Sequence, residues 1–163
     1  MHAIAYKLVE QELKKITLAR ANVLDVGSLD INGTYRPLIT QRRWQYTGID
    51  IRGGKNVDII TRPYNYPFPD NHFDIVISGS TMEHIPAIWK WIPELVRVLK
   101  PAGFLLIATV YVWGIHRFPV DCWRILPDGI RYLFDQTRLL ENYDIRLPNP
   151  NDILATAFKR RSP

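Results

Sequence analysis

Val23-Leu24-Asp25-Val26-Gly27-Ser28 is a short apolar run ending in Asp-x-Gly-Ser, and a second run closes on Gly48-Ile49-Asp50. The first reads as a strand entering an open turn, and the second sets a carboxylate at the next strand's tip. The gap from Gly27 to Asp50 is close to the roughly 20 residues that separate the glycine turn from the ribose-binding acid in nucleotide-binding βαβ units. The pair predicts an α/β chain and a nucleoside-bearing ligand.

Outward from this pair, the hydrophobic period alternates between 3.6 and 2. Ala5, Val9, Leu13 and Ile16 fall at helical spacing with charges interleaved, which predicts an amphipathic helix over about 3–19. Strands are expected at 23–26, 46–50 and 57–60, with a helix after Gly33 that tolerates Pro37 in its first turn. Tyr66-Pro67-Phe68-Pro69-Asp70-Asn71 reads as a turn into a fourth strand at 73–78. Ile88, Trp89, Ile92, Leu95, Val96 and Leu99 then repeat at helical spacing, which puts Trp89 on the core stripe and a kink at Pro93. Lys100-Pro101-Ala102-Gly103 stops that helix, and residues 104–112 form a strand buried on both faces. Pro127-Asp128-Gly129 opens a helix facing inward through Ile130, Leu133 and Phe134, and strands at 143–147 and 152–158 close the chain as an antiparallel pair. Alternating strands and helices imply a three-layer α/β sandwich with a mostly parallel sheet. The expected layout is one domain over 1–163: the N-terminal helix, a cofactor half at about 22–80 and a substrate-side half at about 81–163.

With 163 residues, 47% of them hydrophobic and 12% aromatic, the chain supports a single real core and argues against disorder. The net charge of +5, from 21 basic and 16 acidic residues, permits an acidic partner without demanding one. Part of that excess is Lys159-Arg160-Arg161, which reads as a solvated terminus. Cys122 is the only cysteine, so a disulfide framework is excluded and a reducing compartment fits. No signal-peptide pattern, acid-poor transit pattern or membrane-length apolar run is present, so the expected location is cytoplasmic.

Four stretches in fixed order resemble the class I S-adenosylmethionine-dependent methyltransferases: 23–28, Gly48-Ile49-Asp50, Tyr66 through Ser78, and Glu83-His84-Ile85 through Arg97-Val98-Leu99-Lys100-Pro101-Ala102-Gly103. The resemblance runs from about Val23 to Phe134. It implies a seven-stranded Rossmann-like sheet whose last strand inserts antiparallel, with S-adenosylmethionine over the carboxyl ends of the first strands. The cofactor-binding residues it implies are Asp25, Val26, Gly27, Ser28, Asp30, Asp50, Ile51, Tyr64, Gly79 and Ser80. Gly27 lets backbone approach a ligand, and Asp50 can accept from both ribose hydroxyls. A carboxylate near the first loop would pair the methionine ammonium, while Gly79 and Ser80 resemble positions that face the reacting methyl. Two departures stand out: Ser28-Leu29-Asp30-Ile31-Asn32 lengthens the first loop before Gly33, and Arg62 takes the place of an acid that meets the adenine amino group. Adenine recognition then falls to backbone groups or to stacking on Tyr64.

His84 follows the fourth strand and His116 the fifth, so each is a candidate base or substrate-orienting group. Asp121 and Arg124 lie in the loop after the fifth strand, where they either bind the acceptor or tie the loop to the next helix. Trp113 and Tyr111 could offer an aromatic face to a sulfonium. Cys122 reads as a small packing residue. No two ligand pairs sit at zinc spacing, so no metal site is expected. The function read from this set is methyl transfer to oxygen or nitrogen of a small or glycan-like acceptor. The alternatives are an RNA-directed methyltransferase, motivated by the basic balance and Arg42-Arg43, and a non-catalytic scaffold that kept the fold. A nicotinamide oxidoreductase has less support, because Gly-x-Gly-x-x-Gly is absent from the first turn.

Overall fold

In the structure, a computed structural model that describes residues 3–161, the strands are β1 (Asn22–Val26), β2 (Gln45–Asp50), β3 (Ile59–Ile60), β4 (Phe73–Gly79), β5 (Leu99–Val110), β6 (Leu140–Arg146) and β7 (Asp152–Lys159). They form one seven-stranded sheet in the order β3-β2-β1-β4-β5-β7-β6. Residues 1–2 and 162–163 of the expected 1–163 domain lie outside the described residues. The first five strands pair in parallel, whereas β7 runs antiparallel between β5 and β6. The strand order reverses at β1, which lies between β2 and β4. That reversal opens a crevice at the carboxyl ends of the strands.

Helices α1 (Ala3–Lys14), α2 (Arg36–Thr40), α3 (Ile88–Val98) and α4 (Pro127–Thr137) cover both faces. Successive residues of a strand point to opposite faces, so β1 sends Val23 to the α1/α2 side with Val9, Leu13 and Ile39. Its neighbours Leu24 and Val26 face the α3/α4 side with Trp91, Ile92, Leu95, Ile130 and Phe134. The central strands therefore read as continuous apolar runs, because neither face meets water. Among the described residues, no helix is long and apolar enough to cross a membrane.

Three local expectations are corrected. Helix α1 stops at Lys14 rather than near 19, and past its end Arg42 donates to the carbonyls of Leu13 at 2.6 Å and Ile16 at 3.1 Å. On α3 the fully buried tryptophan is Trp91, not Trp89, which is 56% exposed. The core stripe runs Ile88, Trp91, Ile92, Leu95 and Val96, and Trp89 sits one residue, or about 100°, out of phase. Strand β5 begins at Leu99 instead of 104, since the expected helix stop turns straight into a strand with Ala102 in the left-handed region (φ 59°) and a register shift opposite Phe73 and Ile75.

No helix spans residues 51–58 or 61–72, so side chains hold these loops. Arg97 carries much of the second loop. Its guanidinium donates to the Phe68 carbonyl at 2.8 Å, the Tyr66 carbonyl at 3.1 Å, both Glu94 oxygens and Asp70. Glu94 in turn accepts from the Tyr66 N–H at 2.6 Å. Tyr66 is thereby fixed against Trp91, whose indole N–H donates to the Tyr66 hydroxyl at 2.8 Å.

Candidate active site

The crevice is a cleft of about 350 Å³ whose wall includes residues of β1, β2 and β4 and of the loops after β4 and β5. Following the strand order, it runs from the tip of β2 across β1 to the segments behind β4 and β5. Its volume falls in the range of small-molecule sites.

At the β1 end, Gly27 is in the left-handed region (φ 79°), and its N–H and that of Ser28 donate to the Ile49 carbonyl at 2.9 and 3.0 Å. A Cβ on Gly27 would stand 2.0 Å from Thr81 Oγ1, so the glycine is required by Thr81 as well as by any ligand. Asp25 is buried beside it and accepts from the Tyr46 hydroxyl at 2.6 Å. Burial pushes its carboxyl up to about 7, against the opposing pull of the Tyr46 hydrogen bond. Asn56 supports this group, donating to the Tyr46 hydroxyl at 2.7 Å and to the Ser28 carbonyl at 2.9 Å.

At the β2 tip, Asp50 accepts from the backbone N–H of Leu29 at 3.3 Å and of Arg52 at 3.1 Å, one on each carboxylate oxygen. The side chain thus caps both loops. Each oxygen keeps a further lone pair for a ligand hydroxyl. Arg52 lies over the Phe118 ring, 4.1 Å from its centroid, and so joins the loop after β2 to the loop after β5.

Behind β4, Ser80 adopts the left-handed region (φ 52°) and its N–H donates to the Ala108 carbonyl at 2.8 Å. Glu83 follows in a 3-10 turn, Met82–His84, with its side chain 1% exposed. Thr109 donates to Glu83 Oε2 at 2.7 Å, while Oε1 has no hydrogen-bond partner among the described residues. The rings of His84 and His116 meet edge to face, 4.9 Å between centroids. The His84 Nδ1 contacts the Val120 carbonyl at 2.6 Å, and His116 Nε2 lies 4.0 Å from Glu83 Oε1.

Of the residues expected to hold a cofactor, Asp25, Val26, Gly27, Ser28, Asp50, Ile51, Gly79 and Ser80 line this cleft, together with His84 and His116. Asp30 and Tyr64 do not. Asp30 turns away to cap the Gly33 N–H at 2.8 Å and to pair with Lys55 at 2.9 Å, contacts that hold its carboxyl below the usual range and stitch the long first loop. Tyr64 packs on the α3-side core and accepts from the Ala87 N–H at 3.0 Å, which leaves its ring outside the wall; Arg62 lines the cleft instead.

Asp121 and Arg124 also lie outside the wall, joined by bonds of 2.6 and 2.8 Å. Asp121 accepts from the His116 N–H at 2.7 Å, and Arg124 donates to the carbonyls of Gly114 and Trp113 at 2.9 and 3.1 Å. The Arg124 guanidinium holds the Asp121 carboxyl well below its usual range. The pair ties the loop to itself rather than to the next helix, and it holds the His116 backbone. Cys122 is exposed rather than packed. Trp113 lines the cleft, whereas Tyr111 packs on the α3-side core.

Sequence reading missed Tyr35, Thr81 and Glu83. Glu83 had a signal, since it precedes His84 in the Glu-His-Ile stretch. Tyr35 had none. Its hydroxyl is buried in the wall without a hydrogen-bond partner among the described residues.

A family profile described as a methyltransferase domain matches residues 24–107. The 2-methyl-6-phytyl-1,4-hydroquinone methyltransferase of Synechocystis is 32% identical over 127 residues, covering 70% of this chain and 39% of that protein. A ubiquinone/menaquinone biosynthesis C-methyltransferase of Bartonella bacilliformis is 28% identical over 156 residues, covering 86% of this chain and 55% of its own length. The chain therefore spans about half or less of these relatives. The crystal structure of a SAM-dependent methyltransferase from Archaeoglobus fulgidus superposes with a TM-score of 0.72 at 14% identity, covering 94% of each chain. That likeness shows the fold, and the profile match over more than half of the sequence shows the family: the chain belongs to the methyltransferase-domain family of class I S-adenosylmethionine-dependent methyltransferases.

Proposed function

We propose that this chain transfers a methyl group from S-adenosylmethionine to an oxygen or nitrogen of a small-molecule acceptor, glycan-like acceptors included. The observation that carries this reading is one cleft with the Asp50 carboxylate toward β2 and the polar group Glu83, His84 and His116 behind β4 and β5. The residues fit the cofactor: the buried Tyr35 hydroxyl in the wall lacks a hydrogen-bond partner among the described residues, as expected of a group that a ligand completes.

When bound, S-adenosylmethionine supplies a methyl group on an already activated sulfonium. The protein's part is to bind and to orient. Asp50 accepts from the ribose hydroxyls with the lone pairs left after its two backbone bonds. Asp25 faces the ammonium of the methionine end, and Trp113 favours a cation by its ring face. His84 and His116 orient the acceptor's reacting atom. Holding acceptor and methyl in contact can supply up to roughly 7–11 kcal/mol. The Synechocystis relative, named for a hydroquinone acceptor, is consistent with a small-molecule acceptor.

Calorimetry with S-adenosylhomocysteine beside NAD tests the reading. The first should bind and the second should not; no binding of S-adenosylhomocysteine by the wild-type chain would overturn it. Asp50→Ala should weaken binding by about 30-fold, the worth of hydrogen bonds to a charged group, about 2 kcal/mol. Wild-type affinity in that variant would refute the role of Asp50.

A further inference from the structure

We propose that Glu83, His84 and His116 bind a divalent metal ion, zinc by the chemistry of the ligands, at the edge of the cleft. One nitrogen from each histidine and one Glu83 oxygen lie within 4.8 Å of one another. Two further observations point to a cation.

The first is Glu83 itself. Its side chain is 1% exposed, Thr109 satisfies Oε2 at 2.7 Å, and Oε1 has no hydrogen-bond partner among the described residues. A buried carboxylate oxygen left bare is costly unless something positive completes it. The second is the orientation of the rings. His84 Nδ1 meets the Val120 carbonyl at 2.6 Å, and His116 Nδ1 meets the Gly114 carbonyl at 3.1 Å with Asp121 Oδ2 at 3.5 Å. Nδ1 therefore carries the proton on each ring, and each Nε2 keeps a lone pair. The Arg124 guanidinium reaches His116 Nδ1 only at 3.4 Å, with its donors engaged by Asp121 and the Gly114 carbonyl. Histidines held through the other nitrogen by a carbonyl or carboxylate are the usual supports of metal ligands.

Backbone bonds join the two segments that carry the ligands. The Glu83 carbonyl accepts from Cys122 N–H at 2.8 Å and Trp123 N–H at 3.2 Å, and Asp121 accepts from His116 N–H at 2.7 Å. A tetrahedral zinc sphere with bonds of about 2.0–2.3 Å spaces its ligand atoms roughly 3.4 Å apart. The ligand atoms lie within 4.8 Å of one another here, so metal binding draws them together by about an ångström while Nδ1 of each ring keeps its carbonyl. Two histidines, one glutamate and an open position make a ligand set that zinc takes in enzymes. That open position faces the cleft, where an acceptor oxygen would bind the ion. This last assignment rests on the methyltransferase reading, and metal binding does not.

The test is zinc titration of the chelator-treated full chain, followed by calorimetry and by metal analysis after desalting. One zinc per chain is expected in the wild type, with affinity reduced at least 100-fold in Glu83→Gln and His116→Gln. Cobalt in place of zinc should give the intense visible bands of a four- or five-coordinate site, a readout on the unaltered sequence. The inference is overturned by less than a tenth of an equivalent in the wild type, by equal affinity in both variants, or by cobalt bands of an aqueous ion. S-adenosylhomocysteine binding is measured on the same samples. Zinc failing while S-adenosylhomocysteine binds defeats the metal site alone, and the converse defeats the methyltransferase reading alone.

Discussion

The ring of Tyr35 lies against the bare Cα of Gly79, so closely that a Cβ there would stand 2.2 Å from Tyr35 Oη. A loop residue thereby fills the space over the end of β4 and presents to the cleft a hydroxyl with no hydrogen-bond partner among the described residues. Gly79→Ala would have to displace a buried ring, at about 1–3 kcal/mol. Tyr35→Phe should instead raise stability by about 1 kcal/mol, because it removes a desolvated hydroxyl. It should also lower S-adenosylhomocysteine affinity by about fivefold. Thermal melts and calorimetry on the same variant check both, and unchanged affinity would remove Tyr35 from the binding wall.

Asp25 gives a pH dependence. Burial raises its folded-state carboxyl from the model-compound 3.8 to about 7, so the folded state holds a proton that the unfolded chain has lost. The sign follows: its contribution to stability is fully present below about 4 and is lost as pH rises through about 7. The span corresponds to an order of 4 kcal/mol. Asp25→Asn keeps an acceptor for the Tyr46 hydroxyl, and should flatten the fall of the melting temperature between about pH 4 and 7. An unchanged slope would show that another group titrates.

The same carboxyl links pH to the ligand. An ammonium at the methionine end pairs with ionised Asp25, so affinity for S-adenosylhomocysteine should rise from pH 6 to 7.5 by up to about tenfold, one proton per ligand. In Asp25→Asn the rise should vanish. Calorimetry in buffers of different ionisation heat counts the proton directly.

Arg97 is expected to be the most sensitive charged residue outside the cleft. Removing it leaves Glu94, which is 8% exposed, without its cation, and frees the Tyr66 and Phe68 carbonyls. Arg97→Met should cost about 3–5 kcal/mol in denaturant unfolding. A loss under 1 kcal/mol would mean that the loop before β4 holds without it.

Asp121 is expected to hold its loop and not the cofactor. Asp121→Ala breaks the bonds to Arg124 and the His116 N–H, so limited proteolysis should cut between residues 112 and 126 much faster. Affinity for S-adenosylhomocysteine should stay within about twofold. A large loss of affinity would show that this loop supports the cofactor site.

Much of the frame was legible because it rests on periodicity. The strands at Asn22–Val26, Gln45–Asp50 and Phe73–Gly79, and the antiparallel Asp152–Lys159, fall within a residue or so of where the apolar runs put them. Errors came where long-range contacts decide. Arg42 caps the end of the first helix from outside it, and the phase of α3 chooses Trp91 over Trp89 by what the sheet can cover. The expected residues that adjoin a motif stand in the cleft wall, whereas Asp30 and Tyr64, whose direction depends on a turn, face elsewhere.

By itself the sequence determined the α/β alternation, the glycine turn at Gly27 and the carboxylate at Asp50, because period, turn geometry and strand ends are local properties of the chain. Only the tertiary structure decided that Tyr35 meets Gly79, that Thr81 claims the space beside Gly27, and that Glu83 and His84 face His116. These are contacts between segments brought together by sheet order, and no spacing along one chain encodes how far apart two side chains end.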